Sequence, residues 1–200
     1  LTGAATIGIV IPMAVPEQTR RYSWQDYLSW PTEERFELIE GIPLAMSPAP
    51  SREHQRLVSS FHYHIYDALR DSPCEVYPAP FDVKLSGADA DDAPTVVQPD
   101  LTVVCDESKL SEHGAVGPPD LVVEVVSPDS GYHDRSRKFE LYLLHGVREY
   151  WIVDVAERVV EVYRLTGTSY ERVGAFGSAD RLQAAGIPEL FVDLAQALNR

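Results

Sequence analysis

Cysteine is scarce in this chain, with two in 200 residues, Cys74 and Cys105, and no CxxC pair. The expectation is two reduced, buried thiols in an intracellular, cytoplasmic protein, with a disulfide or a reactive thiol as the alternatives. Basic residues are scarce too: 17 Lys and Arg stand against 31 Asp and Glu, for a formal charge of −14. Such a surface repels polyanions and argues against a general nucleic-acid binder, whose affinity comes from cations on phosphates. No apolar run approaches the roughly 20 residues of a membrane helix. Internal repeats and low-complexity tracts are absent as well, so the chain is no solenoid or linker array.

What remains is an ordinary globular composition, 44% hydrophobic and 24% charged. At this length one domain with a sizeable core is expected. The stretch at 7–15 is apolar but short, with no basic segment before it. It reads as an arm or an edge strand and not as a secretory signal. The division is therefore an arm over 1–20 and a domain over 21–200.

Ser23 before Trp24, with Asp26 three residues on, predicts a short helix with a capping box. Residues 36–46 predict a hairpin turning at Glu40-Gly41. Leu57, Val58, Phe61, Ile65 and Leu69 recur at helical spacing, so a helix is predicted over 51–69 with Ser51 as its cap. A strand at 75–85 carries Pro78 and Pro80, which favour an edge or a bulge. An acidic, mobile loop at 87–94 and a Gly- and Pro-rich loop at 106–119 flank the central strands. A second helix at 134–145 stops at Gly146, strands follow at 149–155, 159–165 and 170–176, and the tail at 187–198 closes the fold. The pattern predicts an α/β (α+β) fold, a mixed sheet flanked by helices.

Two short runs carry the chemistry: Gln98-Pro99-Asp100-Leu101-Thr102-Val103-Val104 and Asp120-Leu121-Val122-Val123-Glu124-Val125-Val126. Both read as buried strands, and both hold a carboxylate where a buried strand should be apolar. Burying a charge is costly unless it is paired or binds a metal. Side chains alternate along a strand, so Glu124 shares a face with Val122 and Val126. If the strands pair, Asp100 and Glu124 converge, and two carboxylates suit Mg²⁺ or Mn²⁺. The alternative is a structural ion pair. Lys138 lies on the following helix and either reaches the same end of the sheet or is a solvated helix-face lysine. Arg135, Arg137, Lys138 and Arg148 form the one dense basic cluster of the second half. Gathered around the acids they favour a nuclease; paired off with Asp and Glu they count against one.

Those blocks in order, with Phe36-Glu37-Leu38-Ile39-Glu40-Gly41, Met46-Ser47-Pro48 and His54-Gln55 upstream and Arg148-Glu149-Tyr150-Trp151 downstream, resemble the Uma-two family. These are restriction-type endonucleases of the PD-(D/E)XK nuclease superfamily, and the resemblance spans roughly residues 20–195. It implies a restriction-endonuclease-like fold, hydrolysis of DNA phosphodiesters, and a metal held by Asp100 and Glu124. It also implies a further acid from the hairpin, Glu37 or its neighbour Glu40, and Lys138 as the catalytic lysine. The superfamily usually places lysine two residues after the acid, but Val126 stands there, and the family pattern moves the lysine to the next helix. Gln98 and His54 are further candidates. His54 either binds a water or phosphate near the metal or packs on the Ser47-Pro48 turn. An isologous dimer would supply two sites for the two strands of a duplex.

Overall fold

A computed structural model describes residues 20–30, 35–46, 50–92, 94–126 and 132–199, with backbone alone at 132–134. The arm expected over 1–20 lies outside the described residues up to 19, as does the Ser47-Pro48 turn.

Helix α1 (Trp24–Leu28) begins as its sequence predicts. Ser23 Oγ accepts the Asp26 N–H at 3.1 Å, and the Asp26 carboxylate accepts the Ser23 N–H at 2.8 Å. Strands β1 (Phe36–Ile39) and β2 (Ile42–Ala45) form the hairpin. Its two turn residues, Glu40 and Gly41, have φ of 50° and 77°, and this left-handed pair matches the right-handed twist of the flanking strands. Helix α2 (Arg52–Leu69) starts where Ser51 Oγ accepts the His54 N–H at 3.2 Å. Its buried stripe is the predicted one: Leu57, Val58, Phe61, Ile65 and Leu69.

The strand expected over 75–85 is two strands, β3 (Glu75–Pro78) and β4 (Val83–Lys84). Pro78 and Pro80 have no N–H to offer a ladder, so the chain leaves one sheet and joins another between them. The acidic loop after β4 is anchored rather than loose: Lys84 pairs with Asp91, and the Asp91 carbonyl accepts the Trp24 N–H at 2.8 Å. Strands β5 (Val96–Val97) and β6 (Leu101–Val104) follow. The loop expected over 106–119 contains a 3₁₀ turn and the small strands β7 (Leu110–Ser111) and β8 (Gly114–Val116). Then come β9 (Leu121–Val126), α3 (Tyr132–His145), β10 (Glu149–Asp154), β11 (Val159–Thr166) and β12 (Ser169–Phe176). The tail forms β13 (Arg181–Gln183), β14 (Phe191–Asp193) and α4 (Leu194–Asn199).

The main sheet runs β12-β11-β10-β9-β6-β3, and a second runs β2-β1-β5-β4-β8-β7. Both are mixed. In the first, β9 and β10 are parallel and α3 makes the crossover that parallel neighbours require. Leu121, Val123 and Val125 face a core shared with α2, α4 and the tail. Val122, with Tyr142, Tyr150 and Ile152, faces the other core, shared with the second sheet. Burial on both faces is why β9 and β10 read as nearly unbroken apolar runs. Glu124 interrupts the second face, under α3. Among the described residues no helix is long and apolar enough to cross a membrane.

The reduced-thiol expectation is corrected: Cys74 and Cys105 form a disulfide. Strands β3 and β6 are antiparallel with Glu75 opposite Val104, so one rung further the two cysteines face each other. The thiol-based argument for a reducing compartment falls with it. The bond fastens an edge strand across a separation of 31 residues, and its reduction should cost about 2–4 kcal/mol. The check is the urea midpoint with and without dithiothreitol. A Cys74→Ser/Cys105→Ser variant should match the reduced protein. An unmoved midpoint would mean that the β3–β6 ladder suffices.

Candidate metal and nuclease site

Strand β6 pairs with β9 so that Leu101 faces Val123 and Thr102 faces Val122. One rung beyond the ladder, Asp100 stands opposite Glu124. There the Asp100 side chain takes over from the backbone: its Oδ2 accepts the Val125 N–H at 2.8 Å. The same oxygen lies 3.2 Å from His54 Nε2, in the first turn of α2. The His54 ring is nearly buried, and its Nδ1 has no hydrogen-bond partner among the described residues. Burial alone would lower the His54 pKa, but the hydrogen bond and charge of Asp100 more than offset it and raise it.

Glu124 is held from above by α3. Its Oε1 accepts from Tyr142 Oη at 2.5 Å and from Lys138 Nζ at 3.1 Å. Lys138 and Tyr142 are four residues apart, one helical turn, and so present neighbouring side chains. Lys138 Nζ also donates to Glu37 Oε1 at 2.7 Å, and that oxygen accepts the Gln98 backbone N–H at 3.1 Å. The side chains of Glu37, Glu124 and Lys138 are 6%, 13% and 10% exposed, so this is a buried ionic triad.

The charges compete. Burial, with the nearby charges of Asp100 and Glu37, pushes the Glu124 carboxyl up to about 7, against the opposing pull of Lys138. Burial works against the Lys138 ammonium, but Glu124 and Glu37 outweigh it and hold its pKa above the ordinary lysine range. The Tyr142 hydroxyl is raised by burial and by Glu124.

Asp100 and Glu124 are hard oxygen donors, each with one oxygen committed. Asp100 Oδ1 and Glu124 Oε2 accept no hydrogen bond from the described residues. Among those residues no trio of His, Cys, Asp and Glu is gathered in metal-holding geometry. A carboxylate pair nevertheless suits Mg²⁺, which keeps several waters and uses one or two carboxylates. The donor set therefore fits the expected ion.

Of the predicted residues, Asp100, Glu124, Lys138, Glu37 and His54 come together, with Gln98 joining through its backbone. Glu40 does not: it sits in the hairpin turn, mostly exposed, 3.7 Å from Arg21. The basic cluster does not gather either. Arg135 pairs with Glu161, and Arg148 lies 2.9 Å from Asp120. Lys138, by contrast, sits within the acidic cluster. Tyr142 was hidden in sequence as one apolar-stripe residue; its place one turn after Lys138 was the available signal.

A family profile described as "Putative restriction endonuclease" matches residues 24–195. Two Synechocystis proteins are similar. "Uncharacterized protein slr1290" is 25% identical over 174 residues, 84% of this chain and 86% of the relative. "Uncharacterized protein sll1609" is 28% identical over 139 residues, 67% of this chain and 74% of the relative. The fold matches the crystal structure of "a putative nuclease belonging to DUF820" from Anabaena variabilis, with a TM-score of 0.67 at 21% identity. That match covers 88% of this chain and 97% of the other. With the profile spanning α1 to α4, this chain belongs to the Uma2 family.

Proposed function

We propose that the protein is a divalent-metal-dependent endonuclease that hydrolyses DNA phosphodiester bonds at the Asp100–Glu124 site. The observation that carries this reading is Lys138, whose ammonium bridges Glu37 and Glu124 where Asp100 stands opposite. Mg²⁺ or Mn²⁺ bound to the two carboxylates would supply a water of lowered pKa and neutralise charge on the scissile phosphate. The chain's own groups do the rest. Lys138 stays protonated and donates to the attacking water or to a non-bridging phosphate oxygen, stabilising charge as it develops. Glu37 orients Lys138 and is itself fixed by the Gln98 N–H. Tyr142 and His54 each hold one oxygen of a carboxylate and so fix where the other points.

The test is supercoiled plasmid incubated with the protein in Mn²⁺, Mg²⁺ or EDTA, beside an Asp100→Asn variant prepared identically. Metal-dependent nicking or linearisation that is lost in the variant is expected. Prompt linearisation would fit the dimer, and accumulation of nicked circles a single site. No cutting by the wild type, or equal cutting by both proteins, would sink the reading.

A second reading has its own support. The charge of −14 and the pairing of Arg135 and Arg148 with acids suit a metal-dependent hydrolase of a small phosphoester, or a binding module on the same fold. Hydrolysis of a bis(nitrophenyl) phosphate without plasmid cutting would select the hydrolase.

A further inference from the structure

Beside the site lies a cavity of about 660 Å³, within the range typical of ligand pockets. Its walls are aromatic: Tyr27, Trp30, Phe36, Tyr77 and Phe81. The Tyr77 and Phe81 rings are stacked, 4.2 Å between centroids and 4° from parallel. Trp30 meets Phe36 edge-on at 5.5 Å. Tyr27 lies on α1 with Trp30 just past its end, Phe36 on β1, Tyr77 on β3 and Phe81 between β3 and β4.

Polar groups sit at one side. Asp82 Oδ1 accepts from Tyr27 Oη and Gln98 Nε2, each at 2.8 Å. Asp82 Oδ2 accepts no hydrogen bond among the described residues, and burial raises the Asp82 pKa. Arg35 also lines the cavity, and its Nε and Nη2 donate at 2.9 and 2.6 Å to the neutral Gln98 Oε1. Its charge also acts on the Asp82 carboxylate, pulling against the effect of burial. Aromatic walls, a few hydrogen-bonding groups and one cation without a close ion pair among the described residues suit a flat, polar-edged, singly anionic ligand.

Two backbone bonds tie this cavity to the carboxylates. The Ala79 N–H, within the segment carrying Tyr77 and Phe81, donates to the Asp100 carbonyl at 3.1 Å. The Gln98 N–H donates to Glu37 Oε1 while the Gln98 side chain faces Asp82. The wall of the cavity and the acid site are thus joined directly through the backbone.

We propose that this cavity is a stacking subsite for an unpaired nucleobase, and that the DNA substrate is engaged as a locally single strand. This deepens the endonuclease reading and rests on it. It also fits the charge: a duplex held by its phosphates needs many Lys and Arg, whereas stacking on aromatic faces supplies part of a single strand's affinity without cations. Arg35 takes the phosphate beside the stacked base, and Asp82 and Gln98 meet the base edge.

The test is fluorescence anisotropy in EDTA with a labelled oligothymidylate of about 12 nucleotides, a duplex of equal length, and thymidine monophosphate as competitor. The single strand should bind more tightly than the duplex, and it should be displaced by thymidine monophosphate, which carries one base and one phosphate. Its salt dependence should be shallow, near the slope of about −0.7 expected for a single phosphate contact. Tyr77→Ala and Phe81→Ala should each weaken binding by about 5- to 150-fold, the range for losing one stacked base. Phe81→Trp should retain it, which separates stacking from folding. Equal affinity for the duplex, no binding of the oligonucleotide, no displacement by the mononucleotide, or alanine variants that bind like the wild type would overturn the subsite. Without metal there is no cutting, so this result stands apart from the plasmid assay. Cutting without strand preference removes only the subsite. Strand binding through the cavity without cutting removes only the nuclease.

Discussion

Lys138→Met should lose about 3–5 kcal/mol of folding stability, because breaking a buried ion pair leaves its partner's charge uncompensated. Here two partners are stranded, Glu37 and Glu124, both largely out of solvent. Cutting should be lost as well, since Lys138 is the cation that touches both Glu37 and Glu124. The two effects separate in a Glu37→Gln/Lys138→Met variant, which should regain stability but not activity. pH gives a further handle. Glu124 titrates near 7 in the folded protein against an ordinary 4.5, so the folded state holds a proton that the unfolded chain releases earlier. That contribution to stability is full below about 4.5 and is lost as the pH rises through about 7. Removing Lys138 raises the Glu124 pKa further, so the deficit of the variant should widen from pH 5 to pH 8. Urea melts at both pH values are the measurement. A midpoint equal to that of the wild type at pH 8 would show that the triad contributes nothing to folding.

Gly114→Ala should cost upwards of about 4 kcal/mol, the range reserved for a defined steric or strain defect. Gly114 has φ of +127°, a conformation that L residues rarely adopt, and an added Cβ would lie 2.1 Å from the Asp82 carbonyl oxygen. That oxygen already accepts the Ala115 N–H at 2.8 Å, so relief requires parting β4 from β8. Gly87→Ala is the control. Its φ is +77° but nothing lies within 4 Å of the added carbon, so strain of about 1–2 kcal/mol is expected there. Equal losses in the two variants, read by thermal unfolding, would refute the contact. Asp82 also lines the aromatic cavity, so Gly114→Ala should weaken binding of the single strand as well.

The parts of this molecule that were legible in sequence are those with a local cause. The stripe from Leu57 to Leu69 has a helical period, Gly41 marks a turn, and Ser23 with Asp26 spells a cap. Alternation along β9 correctly separated Val122 and Glu124 from Leu121, Val123 and Val125. What was not legible depends on distant pairings. Strands of two residues, such as β4 and β5, are too short to show a period, so of the second sheet only its β1–β2 hairpin was legible. The Cys74–Cys105 bond follows from a β3–β6 register that no local signal fixes. Lys138 and Glu37 are separated by 101 residues, and only the resemblance to a family joined them. The aromatic cavity draws its rings from three separate stretches, and no single window shows it.

Asp100 divides its labour between its two oxygens. Oδ2 completes the backbone of β9 by taking the Val125 N–H, a bond that is needed whether or not any substrate is cut. Only Oδ1 is left for chemistry. A lineage that abandoned catalysis would still be selected to keep an acceptor here, since an unpaired buried N–H costs about 1–3 kcal/mol. An acid or amide at this position in a relative is therefore testimony to the fold first. Lys138 is tied to the fold in the same way, since its removal strands the buried carboxylates of Glu37 and Glu124 unless one of them changes with it.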